Sequence, residues 1–157
     1  MAGSDAQLRS LVADTRTSCR VSSVLDRNRT LYGGEHMLSR DATTCWNSAQ
    51  GSPQHVLLQF HERVVDVAAL DIMFQGGFVG QDVELHVKKA ATEQWERVAD
   101  ADIDPQDCNE LQTFACHATR INALRLSFSR STDFYGRVII YRLDVMGNDS
   151  SADNEGS

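Results

Sequence analysis

Hydrophobic and polar residues alternate along most of this chain, in short runs. In "DVELHVKK" (82–89) Val83, Leu85 and Val87 fall on one face of an extended chain, and Asp82, Glu84, His86 and Lys88 fall on the other. That period of two is what a half-buried β-strand requires. Similar runs, rich in β-branched and aromatic residues, recur at "HVLLQF" (55–60), "VVDVAALDIMF" (64–74), "LQTFACHA" (111–118), "ALRLSF" (123–128) and "RVIIYRLDVMG" (137–147). Polar or Gly-rich breaks such as "QGGFVGQ" and "DADIDPQDCNE" part them. Many short strands separated by turns predict an all-β fold, an antiparallel sandwich or barrel. The period changes only near the start. In "DAQLRSLVAD" Leu8, Leu11 and Val12 share a helical stripe behind a capping Ser4 or Asp5, so residues 1–18 read as a lead that is either one short N-terminal helix or disordered. The last ten residues, "NDSSADNEGS" (148–157), hold no hydrophobe larger than alanine and read as a disordered acidic tail. One domain over 19–147 remains.

Composition narrows the picture. A chain of 157 residues with 41% hydrophobic content fits a single core, and no apolar run approaches the ~18 residues of a membrane span. The start "MAGSDAQLRS" lacks the apolar stretch of a signal peptide, which predicts an intracellular protein, in the nucleus or cytoplasm. The sequons at Asn28 and Asn148 are then chance matches. Cys19, Cys45, Cys108 and Cys116 form no CxxC pair and read as buried, reduced thiols. A net charge of −7 with a pI near 5.1 argues against direct nucleic-acid contact or membrane-surface binding, although "LDRNRT" (25–30) is locally basic.

Catalytic patterns are absent. The sequence has no GxSxG, P-loop or GxGxxG, and its five histidines (36, 55, 61, 86, 117) form no HxH or HExxH. Cys116 and His117 are adjacent, so on a strand they point to opposite faces and cannot act together as nucleophile and base. The expectation is a protein that is not an enzyme.

What remains is a loop. "YGGEHMLSRDATTCW" precedes the first clear strand and contains Asp41, Thr44 and Trp46 in the order D-x-x-T-x-W; the last strand ends in Val145 and Gly147. This pairing resembles the discoidin, or coagulation-factor C-type, branch of the galactose-binding-like jelly-roll sandwiches. The runs "RVSSVLDRN", "TCWNS", "FQGGF", "LQTF" and "TDFYGRVIIY", in order over roughly residues 20 to 147, are similar to a small intracellular branch of that family known for contact with an orphan nuclear receptor. The resemblance leaves out the lead, Ala90 to Glu110 and the tail. It implies a β-sandwich, no catalysis, a nuclear or cytoplasmic location, a nuclear receptor as protein partner and repression of receptor-driven transcription.

Calcium-binding members of the family take oxygens from two loop acids, the loop threonine and a glutamate near the final strand's end. Here those places hold Ser39, Asp41, Thr44 and Arg142. Calcium takes six to eight oxygens, and a guanidinium supplies none. Asp41 and Thr44 are left as the only metal candidates, no cofactor is expected, and Arg142 is expected to pair with Asp41 in the ion's place. Trp46 is expected to bury its ring at the sandwich end, with Cys45 facing the other way.

Recognition in such sandwiches sits on loops at one end of a rigid scaffold. The segments "LDRNRTLYGG" (25–34), "FQGGFVGQD" (74–82) and "RSTDFYGRV" (130–138) combine aromatics with glycine and charge, the mix that carries protein contacts. They supply the candidates Arg27, Arg29, Tyr32, Gln75, Phe78, Asp133, Phe134, Tyr135 and Arg137. Phe78 is as well placed for exposure as for burial. Of Phe134 and Tyr135, one ring is expected to anchor the turn and the other to face outward. Asp133 suits a turn cap, Arg137 a pair with a neighbouring acid, and Arg27 and Arg29 a solvated face. The expected function is a non-catalytic protein-interaction module. A carbohydrate-binding module is the alternative, disfavoured by the missing secretion signal. A subunit of a stable complex, of ubiquitin-ligase or ciliary-transport type, is another.

Overall fold

The computed structural model describes residues 8–13, 16–39 and 41–150. Its strands are β1 (Arg9–Ser10), β2 (Thr17–Val21), β3 (Trp46–Asn47), β4 (Gln54–Phe60), β5 (Val65–Phe74), β6 (Gly80–Lys89), β7 (Trp95–Arg97), β8 (Leu111–Ser131) and β9 (Ile139–Asp149). One short helix, α1 (Arg29–Tyr32), lies between β2 and β3 among a few 3-10 turns. All pairings are antiparallel, in the order β1-β9-β5-β8-β4-β2, with β3 added to β9 and the β6–β7 hairpin added to β8. Among the described residues no helix is long and apolar enough to cross a membrane.

The two layers share one strand. Residues Leu111 to Ile121 of β8 pair with β5, whereas its second half pairs with β4 and β6. The chain folds over at Arg120, which has φ +55°. The sequence predicts two separate strands here, over 111–118 and 123–128, because the polar "TRIN" between them interrupts the alternation. The bend lies in that interruption, while the ladder continues across it. The result is the jelly-roll β-sandwich that the family resemblance implies, and one of the two architectures, sandwich or barrel, that the alternation allows.

Alternation sets the core. β4 buries every second residue from Gln54 to Phe60, and Val56, Leu58, Phe60, Leu70, Ile72, Phe74, Leu124, Leu126 and Phe128 are essentially inaccessible. Phe74 and Phe128 meet edge-on at 5.9 Å. Burying side chains of this size contributes roughly 1.5–3 kcal/mol each, which is what sets the strand register against a one-residue slip. Gly147 is forced by crowding: a Cβ there would lie 2.0 Å from the Asp66 carbonyl oxygen on the facing strand.

The lead departs from expectation. Arg9 and Ser10 pair with Gly147 and Met146, and Leu11 donates its N–H to the Val145 carbonyl, so residues 9–11 are extended and not helical. Leu11 and Val12 are buried. Their spacing suits a helix, but the open edge of β9 offers backbone partners that a short helix of this length, marginal alone, does not match. Ser4 and Asp5 lie outside the described residues. At the other end β9 runs to Asp149, and Ser150 is buried with its N–H on the Val64 carbonyl. The rest of the expected tail, 151–157, lies outside the described residues.

Candidate functional site

Register brings many strand ends together. Gly80 faces Ser131, Phe74 faces Ile140, Trp46 faces Ile140, Gln54 faces Phe128 and Val21 faces Val56. The loops that follow β2, β3, β5 and β8 therefore emerge at one end of the sandwich, and all three sequence-predicted binding segments belong to it.

Hydrogen bonds fasten these loops to one another. Thr132 donates its N–H to the Val79 carbonyl at 2.9 Å and accepts the Val79 N–H on Oγ1 at 3.0 Å. Ile139 N–H reaches the Phe78 carbonyl at 3.1 Å, and Gly51 N–H reaches the Tyr135 carbonyl at 2.7 Å. The buried Gln54 joins two further segments. Its Nε2 donates to the Ala49 and Gly51 carbonyls, and its Oε1 accepts from Ser22 and Ser23.

The turn after β8 holds the most exposed aromatics. Asp133 accepts the Arg137 N–H on Oδ2 at 3.0 Å and the Gly136 N–H on its carbonyl at 3.0 Å, so it caps the turn. Gly136 has φ +84°, and a Cβ there would lie 2.8 Å from both the Gly51 backbone and the Ser52 hydroxyl; only glycine gives both the handedness and the close approach. With both ends of the turn pinned, Phe134 and Tyr135 stand outside it, 92% and 59% exposed. Their rings meet edge-on at 5.2 Å. Neither anchors the turn, contrary to the expectation that one would, because backbone bonds do that work. A shallow depression of about 370 Å³ lies beside Tyr135, walled by Gly51, Ser52, Arg130 and Asp133.

Below the turn, the Arg137 guanidinium lies 5.0 Å over the Phe78 ring and donates from Nη2 to Asn47 Oδ1 at 3.0 Å. Phe78 is half-buried. Arg137 thus pairs with an amide and a ring and not with the acid its sequence context suggested. Gln75, in the neighbouring loop, accepts from the Tyr141 hydroxyl at 3.4 Å. Arg27 and Arg29 are exposed and Tyr32 half-buried on the loop around α1, whose N-terminus Asn28 caps through the Leu31 N–H.

The loop of Asp41, Thr44 and Trp46 differs from its reading in one respect. Arg142 does not reach Asp41; it grips Asp144 with Nε at 2.9 Å and Nη2 at 2.8 Å. The reason is geometric and electrostatic. Arg142 and Asp144 are two apart on β9, and the Asp144 carboxylate is almost fully buried, so it gains most from a guanidinium. Asp41 is exposed and satisfied locally. It accepts the Thr43 hydroxyl at 2.6 Å and the Thr43 N–H at 2.9 Å, bonds that hold its carboxyl below the usual range. Thr44 donates its hydroxyl to the Asp41 carbonyl at 3.2 Å. Trp46 is wholly buried, its Nε1 donating to the Ser23 carbonyl at 2.8 Å. Among the described residues, no three His, Cys, Asp or Glu side chains gather in a way that could hold a metal.

The thiols lack reactive surroundings. Burial pushes Cys19 up to about 12, with the Glu35 charge adding to it, and Cys116 up to about 11. Cys116 is buried while His117 is exposed on the opposite face.

Sequence reasoning missed Asn47, Gln54, Ser22 and Ser23, which brace the site. Each stands in a polar stretch that reads as turn, and nothing local distinguishes a buried glutamine from a solvated one. The one available signal is position: Gln54 continues inward the alternation of Val56 and Leu58.

Comparison with known proteins fits this architecture. No family model matches the chain. The nuclear receptor 2C2-associated protein of Homo sapiens is 42% identical over 131 residues, 83% of this chain and 91% of that protein. Its counterpart in Xenopus laevis is 43% identical over 131 residues, 83% and 93% of the two chains. Among solved structures, an F5/8 type C domain from Bacteroides fragilis superposes with a TM-score of 0.74 at 12% identity, covering 90% of this chain and 96% of the domain. A family 32 carbohydrate-binding module from Clostridium perfringens, in complex with galactose, superposes with a TM-score of 0.69 at 13% identity, covering 89% and 98%. These structural likenesses establish the discoidin-type fold. The sequence likeness goes further: the chain belongs to the nuclear receptor 2C2-associated protein family.

Proposed function

We propose that this chain is a non-catalytic protein-interaction module that holds a nuclear receptor through its loop end, in the nucleus or cytoplasm, and so lowers receptor-driven transcription. The observation that carries this reading is the Phe134–Tyr135 pair: two large rings held in solvent on a turn fixed by Asp133 and Gly136. Exposed aromatics on a pinned loop lose little conformational entropy on binding, and aromatics and arginine dominate contact energies. The name of the relatives supplies the class of partner. No catalytic residue and no cofactor enters the reading.

The test is capture of the purified chain by the ligand-binding domain of nuclear receptor 2C2. Phe134→Ala and Tyr135→Ala should each keep the melting temperature within a degree or two. At least one should lose roughly 2 kcal/mol of binding, about thirtyfold in affinity. If both variants fold and bind the receptor as the parent does, the reading fails. A saccharide reading has its own observation, the depression beside Tyr135 in a fold whose solved neighbours include galactose- and chitosan-binding modules. Saturable capture on a glycan array, lost in Tyr135→Ala, would favour it instead.

A further inference from the structure

A second surface lies along β2, the last strand of its layer. Ser22 donates its N–H to the His55 carbonyl at 3.0 Å, and His61 donates to the Arg16 carbonyl at 3.1 Å. With the register Arg20↔Leu57 and Ser18↔Gln59, the even-numbered residues turn their backbone groups toward β4. The N–H and carbonyl of Cys19 and Val21 therefore point away from the sheet, and among the described residues nothing bonds to them there. Unpaired edges are ordinarily kept short or covered. β1 and β3 span two residues each and β7 three, whereas β2 spans five. A crevice of about 410 Å³ runs beside it, with Cys19, Arg20 and Val21 on one side and Arg29, Gly33 and Gly34 on the other.

The charges along this crevice are specific. Arg20 and Arg29 line it and Arg27 stands on the neighbouring turn; all three are exposed, and among the described residues none has an acidic partner. Glu35 lines the crevice as well, so the wall is patterned and not uniformly basic. A strand added outside β2 would meet Cys19 and Val21 as hydrogen-bonded pairs and Arg20 as a non-bonded pair, where cross-strand Cα atoms approach to ~4.5 Å. The residue opposite Arg20 would point to the same outer face as its guanidinium, the geometry in which opposite charges stabilise a sheet. Its two neighbours would point inward, beside the side chains of Cys19 and Val21, which pack on the core.

We propose that the outer edge of β2 takes an extended segment of a partner protein as an added strand, and that this segment carries Asp or Glu, opposite Arg20, between two apolar residues. Backbone pairing supplies affinity and the alternate side chains supply specificity.

The experiment uses the full chain and a fluorescein-labelled heptapeptide, Ser-Val-Glu-Val-Glu-Val-Ser, with its Lys-for-Glu counterpart as control. Anisotropy should show saturable binding of the acidic peptide, at least tenfold tighter than the basic one. Arg20→Glu should reverse that order. Val21→Pro removes the outward N–H and leaves the bonds to β4 intact, so it should weaken binding tenfold or more with a melting temperature within a few degrees. If Val21→Pro does not fold, slowed amide exchange at Cys19 and Val21 on adding the acidic peptide to the parent chain takes its place. Equal binding of the two peptides, an unreversed order in Arg20→Glu, or unchanged exchange would overturn the proposal. So would a parent chain that sediments as a dimer which Arg20→Glu dissociates, since a second copy would then occupy the edge. Tyr135→Ala should bind the acidic peptide as the parent does, which separates this edge from the loop end.

Discussion

Replacing Gln54 with leucine should unfasten the loop end without opening a cavity. The two side chains are of similar size, so packing is kept and the loss is polar. Gln54 Nε2 donates to the Ala49 carbonyl at 3.2 Å and the Gly51 carbonyl at 2.7 Å, and Oε1 accepts from the Ser22 and Ser23 hydroxyls. A typical bond of this kind contributes ~0.5–1.5 kcal/mol net, and a buried group left without a partner costs ~1–3 kcal/mol. The Gly51 carbonyl belongs to an exposed residue and water can reach it, whereas Ser23 and Ala49 are half-buried. The total should be about 2–4 kcal/mol. For a chain of this size that corresponds to a fall in melting temperature of roughly 5–15 °C. Differential scanning calorimetry measures the fall, with Gln59→Leu, a half-buried change on the same strand, as control. Amide exchange at Gly51, whose N–H serves the Tyr135 carbonyl, should accelerate. A melting temperature within a degree of the parent, or unchanged Gly51 protection, would refute the idea that Gln54 holds this end together.

Arg142→Ala should destabilise the chain by about 1–3 kcal/mol, more than the ~0–1 kcal/mol of a surface pair, because it withdraws the guanidinium from a nearly buried carboxylate; Asp41→Ala should cost less, and chemical denaturation of both variants compares them. Gly136→Val should lower stability and abolish receptor capture, since the residue needs φ +84° and has no room for a Cβ, which two-dimensional NMR of the turn would register. His55 is held below 6.5 by burial first and the Arg125 charge second, so the unfolded chain binds the proton more readily; stability should fall as the pH drops below 6.5, and His55→Gln should flatten that part of the melting profile. Titration of the native protein with a thiol-specific reagent at pH 7.5 should leave Cys19 and Cys116 unmodified until denaturant is added, since burial pushes them up to about 12 and about 11.

The sequence alone determined the fold class. Period-two alternation in runs such as 55–60 and 82–89 demands a sheet with one face in a core, and a chain with many such runs covers those faces by stacking two sheets or closing one into a barrel. It also determined the segments of the loop end, because turn residues and aromatics stand out against the strands. Everything that depended on which distant group was nearby fell to the tertiary structure. Leu8, Leu11 and Val12 satisfy a helical stripe, yet the chain there is extended because β9 presents an open edge. Arg142 was matched by sequence to Asp41, and the buried Asp144 two residues along its own strand took it. Phe134 and Tyr135 both face solvent because Gly51 and Asp133 secure the turn's backbone. Gln54 became a brace only when the segments of Ser22–Ser23 and Ala49–Gly51 met around it. Hydrophobic burial is roughly proportional to area and can be read from a residue's type and period. Hydrogen bonds and ion pairs depend on partners far along the chain, and only folding brings those partners within three ångströms or so.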